Sequence, residues 1–91
     1  MLLNITARAH VEAGDPDDYS KAIADNVVYL RKVQGLSRID LAKRADLTVS
    51  TIRSIEIRRG SPRVETLSYI AAALGVKVSY LLIEHRSEVD A

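Results

Sequence analysis

The middle third of this 91-residue chain is strongly basic. Residues 31–63 contain nine Lys or Arg and three acidic residues, a formal charge of +6, whereas residues 1–30 carry −3 and residues 64–91 carry −2. The net charge of +1 hides this division. Cationic groups concentrated in one segment favour binding to a polyanion. A merely solvated charged surface is the alternative interpretation, and charge alone does not exclude it.

The residues that most enzymes need for covalent or metal chemistry are scarce. The chain has no cysteine, which excludes disulfides, thiolate zinc sites and cysteine nucleophiles. Its two histidines, His10 and His85, lie in opposite flanks and give no metal-ligand spacing. No glycine-rich phosphate loop with its lysine is present. We therefore expect no enzymatic activity, no metal and no cofactor.

The composition is that of one small globular domain, with 47% hydrophobic and 27% charged residues. No apolar run approaches the roughly 18 residues that a membrane span needs. The N-terminus also lacks the cationic head and apolar block of a signal peptide. We therefore expect a cytoplasmic protein with no membrane partner.

The spacing of apolar residues and caps predicts an all-α domain. The first helix is expected from Tyr19 to Gln34, with Gly35 as the residue that ends it. Ser37 opens a second helix through a capping box with Asp40, and Thr48 caps a third. A connection of two residues separates the second and third helices, as in a helix-turn-helix. The apolar positions of these helices are Ile23, Val27, Leu30 and Val33, then Ile39, Leu41, Ala42 and Ala45, then Ile52, Ile55 and Ile57.

Two further helices complete the expected domain over residues 19–84. Pro62 is favoured at the first position of the fourth helix, which ends at Gly75. Residues 78–83 form a short fifth segment, and residues 85–91 a polar tail. The fourth helix is expected to bury Val64, Leu67, Ile70, Ala71 and Leu74.

Residues 1–18 are an extension of different character. Apolar and polar residues alternate from Leu3 to Val11, which predicts a half-buried strand. Leu2, Ile5 and Ala9 would also line one face of a helix, so both forms remain open. Residues 12–18 are acidic, contain one Gly and one Pro, and indicate a linker. A lone strand needs a partner, and the same strand of a second subunit is the candidate.

In residues 36–76, LSRIDLAKRADLTVSTIRSIEIRRGSPRVETLSYIAAALGV, the chain resembles the Cro/CI-type (XRE) helix-turn-helix family of bacterial and phage repressors. The resemblance implies a five-helix, lambda-repressor-like domain over about residues 23–83. Each matching element is weak alone, but they occur in order and in register. They are the Leu41–Ala42 pair, Ile52 and Ile55, the spacing of Glu56 to Pro62, and the apolar run from Leu67 to Val76.

The sequence departs from that family at three positions. Asp46 stands at the turn position usually held by Gly, and Asp tolerates a left-handed backbone better than most residues. Arg58 replaces a frequent Gly, so the third helix would run longer or end differently. Arg38 replaces a common Gln, which preserves a phosphate contact and adds charge.

The resemblance implies a protein that reads double-stranded DNA with its third helix in the major groove. Arg53 suits either a guanine edge or a phosphate, and we assign Lys43 and Arg44 to the dipole of the second helix. The residues expected at the DNA are Ser37, Arg38, Thr48, Val49, Ser50, Thr51, Arg53, Ser54, Arg58, Arg59 and Arg63. The resemblance also implies a partly buried structural ion pair between Arg31 and Glu56. A lone Arg31 facing phosphate is the alternative.

The leading functional hypothesis is a repressor-type transcriptional regulator acting as a homodimer on a palindromic operator. One module of this size reads too few bases to be selective. The dimer contact would use the fourth and fifth helices or the N-terminal strand. The apolar residues 81–83 would serve that contact or pack on the first helix. The alternative function is an antitoxin-like module that binds a toxin-like partner protein and regulates its own operon.

Overall fold

The computed structural model describes residues 16–57 and 61–85, which form five α-helices. The expected all-helical architecture is confirmed for this part of the chain. The predicted strand, the polar tail beyond His85, and residues Arg58 and Arg59 lie outside the described residues. The helices are α1 (Pro16–Val33), α2 (Arg38–Ala45), α3 (Val49–Glu56), α4 (Val64–Leu74) and α5 (Val78–Leu82).

The first helix begins three residues earlier than predicted. It starts at Pro16, so residues 16–18 are helical rather than part of a linker. Proline is favoured at the first helical position, because its fixed φ suits the helix and no N–H is needed there. At the other end, Gly35 adopts a φ of 71° and the Leu36 N–H donates to the Arg31 carbonyl oxygen over 2.9 Å. Gly35 therefore ends this helix as expected.

The connection from α2 to α3 uses one left-handed residue. Asp46 has a φ of 59°, and its N–H lies 3.3 Å from the Lys43 carbonyl oxygen. Asp is among the few residues that adopt this conformation at modest cost. Leu47 and Thr48 complete the turn, and Thr48 caps α3. The turn therefore forms although Gly is absent from it.

The core is built from aliphatic side chains of all five helices. Val27, Leu41, Ile52, Ile70 and Leu81 are fully buried, one from each helix in order. Ala42 and Ala45 are also buried in α2, which contacts both α3 and α4. Small side chains at these positions let the helices approach closely. The core thus fixes the α2–α3 pair against α1 and α4.

Four apolar residues that were expected on helix faces are exposed instead: Val33, Ile39, Ile57 and Val64. Val64 is 72% exposed, because it is the first residue of α4 and lies outside the core cluster. Pro62 precedes α4 by two residues rather than starting it. Ile57 follows the last residue of α3 and is exposed, since two residues after Ile55 a helix points to another side. Val33, in the last turn of α1, is exposed as well.

A buried amide joins the first helix to the last. Asn26 is the one polar residue that is buried as a whole in the part of the chain that the structure describes. Its Nδ2 donates to the carbonyl oxygens of Tyr80, Leu81 and Ile83 at 3.1, 2.9 and 2.9 Å. These carbonyls lie at the C-terminal end of α5, where the last carbonyl oxygens of a helix lack intrahelical donors, although the Tyr80 oxygen also accepts from the Ile83 N–H over 3.5 Å. Leu81 packs inside the domain, as one of the two interpretations of residues 81–83 predicted, whereas Ile83 is exposed and a role for it in a dimer contact stays a prediction.

Candidate nucleic-acid interface

Two buried isoleucines on the inner side of α3 determine which side of the helix faces solvent. Ile52 and Ile55 are three residues apart and buried. The residues between and before them, Val49, Ser50 and Arg53, are exposed. The predicted orientation of these positions is confirmed, and Ser54 is half-buried at the edge. This face therefore presents a short apolar group and a hydroxyl in the first turn of the helix and a guanidinium in its second half.

Hydrogen bonds between two threonines cap the start of α3. The Thr48 hydroxyl oxygen accepts from the Thr51 N–H over 3.1 Å and lies 2.9 Å from the Thr51 hydroxyl oxygen. Thr48 is exposed and Thr51 half-buried. Both hydroxyls take part in the cap, so the start of α3 is held in place without a ligand.

The start of α2 carries the predicted capping box. The Ser37 hydroxyl oxygen accepts from the Asp40 N–H, and the Asp40 carboxylate accepts from the Ser37 N–H, each over 2.9 Å. These hydrogen bonds hold the pKa of Asp40 below its usual range, with the backbone bond from Ser37 as the largest cause. The Ser37 N–H is thus already used, and a phosphate there would meet its hydroxyl hydrogen and the free N–H groups of the first turn.

The Arg31–Glu56 pair expected from the family resemblance is present. Arg31 Nε lies 2.7 Å from Glu56 Oε2 and Arg31 Nη2 lies 3.1 Å from Glu56 Oε1. The remaining nitrogen, Nη1, donates to the Leu36 carbonyl oxygen over 2.9 Å. Only 11% of the Arg31 side chain is exposed. All three nitrogens are engaged inside the protein, so the alternative of Arg31 as a lone phosphate contact is not favoured.

Sequence reasoning missed the second arginine on the same carboxylate. Arg38 Nε donates to Glu56 Oε1 over 2.8 Å, and its side chain is 40% exposed while that of Glu56 is 1% exposed. Burial alone would raise the pKa of Glu56, but the hydrogen bonds and charges of Arg31 and Arg38 outweigh it, so the pKa lies below its usual range. The glutamate stays ionised at neutral pH, and the three side chains together carry one excess positive charge.

The other predicted contact residues are only partly placed. Arg63 is exposed and precedes α4, where its side chain makes no capping hydrogen bond. Lys43 and Arg44 are exposed in the last turn of α2, as a favourable interaction with the helix dipole requires. Among residues 16–57 and 61–85, no cluster of His, Asp or Glu is arranged to hold a metal ion. None of the helices described here is long and apolar enough to cross a membrane.

Sequence comparison relates the chain to a helix-turn-helix family and to a phage repressor. The helix-turn-helix family HTH_3 matches residues 28–81. An immunity repressor protein of Bacillus phage phi105 is 34% identical over 62 residues, which cover 68% of this chain and 43% of the phage protein. The chain therefore matches less than half the length of that relative.

Two solved structures share the fold. A hypothetical transcription factor from Neisseria is 28% identical with a TM-score of 0.72, and the match covers 77% of this chain and 79% of that one. An HTH_3 family transcriptional regulator from Vibrio cholerae is also 28% identical, with a TM-score of 0.69, over 74% of this chain and 38% of its own.

Proposed function

The chain belongs to the helix-turn-helix family, and from this premise we propose that it is a sequence-specific transcriptional regulator of the repressor type. The observation that carries the proposal is the exposed face of α3, held outward by the buried Ile52 and Ile55. In a helix-turn-helix the second helix enters the major groove with its N-terminal residues at the base edges. Here that helix is α3, and it begins at Val49.

Arg53 is the residue that we propose to discriminate most strongly between bases. Its planar guanidinium can donate to guanine O6 and N7 together, while a phosphate contact is its alternative role. Val49 is exposed and apolar, which suits a thymine methyl group. Ser50, Thr48 and Ser54 discriminate weakly, because a hydroxyl both donates and accepts. So short a reading surface favours specificity that is assisted by DNA shape.

Phosphate contacts are proposed on both sides of α3. Arg38 and the Ser37 hydroxyl lie at the start of α2, and Arg63 lies before α4. Arg58 and Arg59, which follow α3 in the sequence, are proposed on the same grounds of charge. The formal charge of +6 over residues 31–63 supports a backbone contribution that depends on salt.

We further propose that the regulator acts as a homodimer on a palindromic operator. One domain of this size contacts too few base pairs to find its site in a genome, whereas two half-sites suffice. The exposed Ile83 and the neighbouring α4–α5 surface, or the N-terminal extension, would supply the contact. Neither the described residues nor the relatives reported above favour the toxin-binding alternative.

Selection of bound duplexes from a random DNA pool at near-physiological salt tests the proposal. Recovery of a two-fold-symmetric motif with half-site centres about one helical turn apart would support a dimeric reader. Recovery of an asymmetric motif would support specific reading and overturn the dimer. Salt-sensitive binding without any enriched motif would overturn sequence specificity.

A further inference from the structure

The Glu56 carboxylate accepts hydrogen bonds from two arginines, and the two contacts differ in geometry. Arg31 engages both carboxylate oxygens with two nitrogens, at 2.7 and 3.1 Å. Arg38 engages one oxygen with Nε alone, at 2.8 Å. The Arg31 contact is complete without Arg38, since a bidentate guanidinium–carboxylate pair already satisfies the geometry of both groups. The hydrogen bond from Arg38 Nε is therefore not needed to neutralise Glu56.

The two arginines also differ in what they leave free. Every nitrogen of Arg31 has a partner, because Nη1 donates to Leu36. The Nη1 and Nη2 groups of Arg38 have no hydrogen-bond partner within residues 16–57 and 61–85, and 40% of the side chain is exposed. A guanidinium carries five N–H donors in a fixed plane, and only one of the five is used on Arg38. Four donors remain available to a ligand, and they carry the excess charge of the cluster.

We propose that Glu56 is a positioning residue for DNA binding, which holds Arg38 by Nε so that its remaining donors meet a DNA phosphate. This inference rests on the proposed function and adds a role for a buried residue that touches no DNA. Arginine side chains lose rotamer freedom when they bind, and a side chain that is already fixed loses less. The Glu56 carboxylate therefore has two roles. It joins α3 to Arg31 of α1, and it orients the Arg38 guanidinium of α2 for a phosphate.

A double-mutant cycle measures the effect, with binding of the full chain to a mixed-sequence DNA duplex as the readout. The variants are Arg38→Ala, Glu56→Gln and the pair. Glu56→Gln should weaken binding about two- to tenfold, the range expected when one flexible side chain must be immobilised on binding. In the Arg38→Ala background the same change should have no such effect. Equal weakening in both backgrounds would mean that Glu56 acts only on the fold, and would overturn the proposal.

A matched control separates position from charge. Asp25→Asn removes one negative charge from an exposed residue of α1, as Glu56→Gln does from the buried site. The control should bind DNA slightly more tightly, because net charge alone favours the polyanion. If Glu56→Gln strengthens binding to the same extent, charge is its whole effect and the proposal fails.

A variant that leaves Glu56 and Arg31 unchanged tests the proposal without removing the buried ion pair. Arg38→Lys keeps the charge but cannot hold Glu56 with one nitrogen and a phosphate with others. Its affinity for the duplex should fall most of the way to that of Arg38→Ala. Affinity equal to that of the unmodified protein would overturn positioning while leaving DNA binding intact. If the unmodified protein binds no duplex at all, the proposed function fails and this inference fails with it.

Discussion

The side-chain Nδ2 of Asn26 in α1 lies 2.9 Å from the carbonyl oxygen of Leu81 in α5. The same nitrogen reaches the carbonyl oxygens of Tyr80 and Ile83. The bonded residues are 54 to 57 positions apart in the chain. The amide thus contacts two of the five carbonyl oxygens of α5 and that of Ile83, the residue that follows the helix. The fifth helix is therefore held by a polar contact as well as by the buried Leu81.

Replacing that amide should destabilise the domain. Asn26→Ala leaves the buried carbonyl oxygen of Leu81 without its donor and removes one donor from the oxygens of Tyr80 and Ile83, and we expect the free energy of unfolding to fall by about 1–3 kcal/mol. Asn26→Asp preserves the shape but places a carboxylate against those oxygens, and should cost more. Urea denaturation followed by circular dichroism measures both. Stability unchanged in Asn26→Ala would show that α5 is held by packing alone.

The stability of the protein should fall in acid through Glu56. The pKa of Glu56 is lower in the folded state than its ordinary value of about 4.3. Its contribution is therefore complete above that value and is lost as the pH falls through the folded-state pKa. Asp40 titrates in the same direction, since its pKa is also lowered.

Glu56→Gln isolates the glutamate's share of this pH dependence. The variant should be less stable at neutral pH by about 3 kcal/mol, because a buried pair loses one partner. Its free energy of unfolding should then change less than that of the unmodified protein as the pH falls below about 4.3. Urea titrations at a series of pH values give both quantities. Parallel pH profiles for the two proteins would contradict the assignment.

Arg53→Ala should relax the choice of base at one position of the operator. If the guanidinium bonds a guanine edge, affinity for the preferred site falls by about 1–3 kcal/mol while affinity for sites altered at that base pair changes little. The check is competition binding with a panel of single-base variants of the selected duplex. An equal loss on every duplex would make Arg53 a phosphate contact.

Arg38→Ala should change the salt dependence of binding rather than its sequence preference. Loss of one phosphate contact reduces the slope of log affinity against log salt by about 0.9. Lys77→Ala is the matched control, since Lys77 is an exposed cation at the start of α5 and lies outside the proposed interface. Its slope should equal that of the unmodified protein. Two variants with the same reduced slope would show that general charge, not a contact, sets the value.

Local features of the fold could be predicted because neighbouring residues determine them. The Ser37–Asp40 capping box, the Thr48 cap and the left-handed Asp46 all follow from side chains within a few positions. The outward face of α3 follows from the spacing of Ile52 and Ile55. The side of α3 that faces solvent was therefore predictable from sequence alone, whereas its contact with DNA stays a prediction.

The features that sequence reasoning missed depend on distant partners. Arg38 and Glu56 are 18 positions apart on different helices, and nothing in the spacing distinguishes Arg38 from the other cations of the basic segment. Asn26 looks like any polar residue on a helix until the end of α5 packs against it. Val64 was expected inside because its type fits a core, but its position at the start of α4 exposes it.

Mapping the residues that contact DNA tests the proposed interface most directly. The full chain, labelled with nitrogen-15, would be titrated with a mixed-sequence DNA duplex while its backbone amide signals are followed by NMR. If α3 reads the major groove, the largest changes will occur at residues 48–54 and at Ser37 and Arg38, with little change at Tyr29 and Val33 on the exposed side of α1. Changes confined to α1 or α5, with α3 unaffected, would contradict the proposed interface.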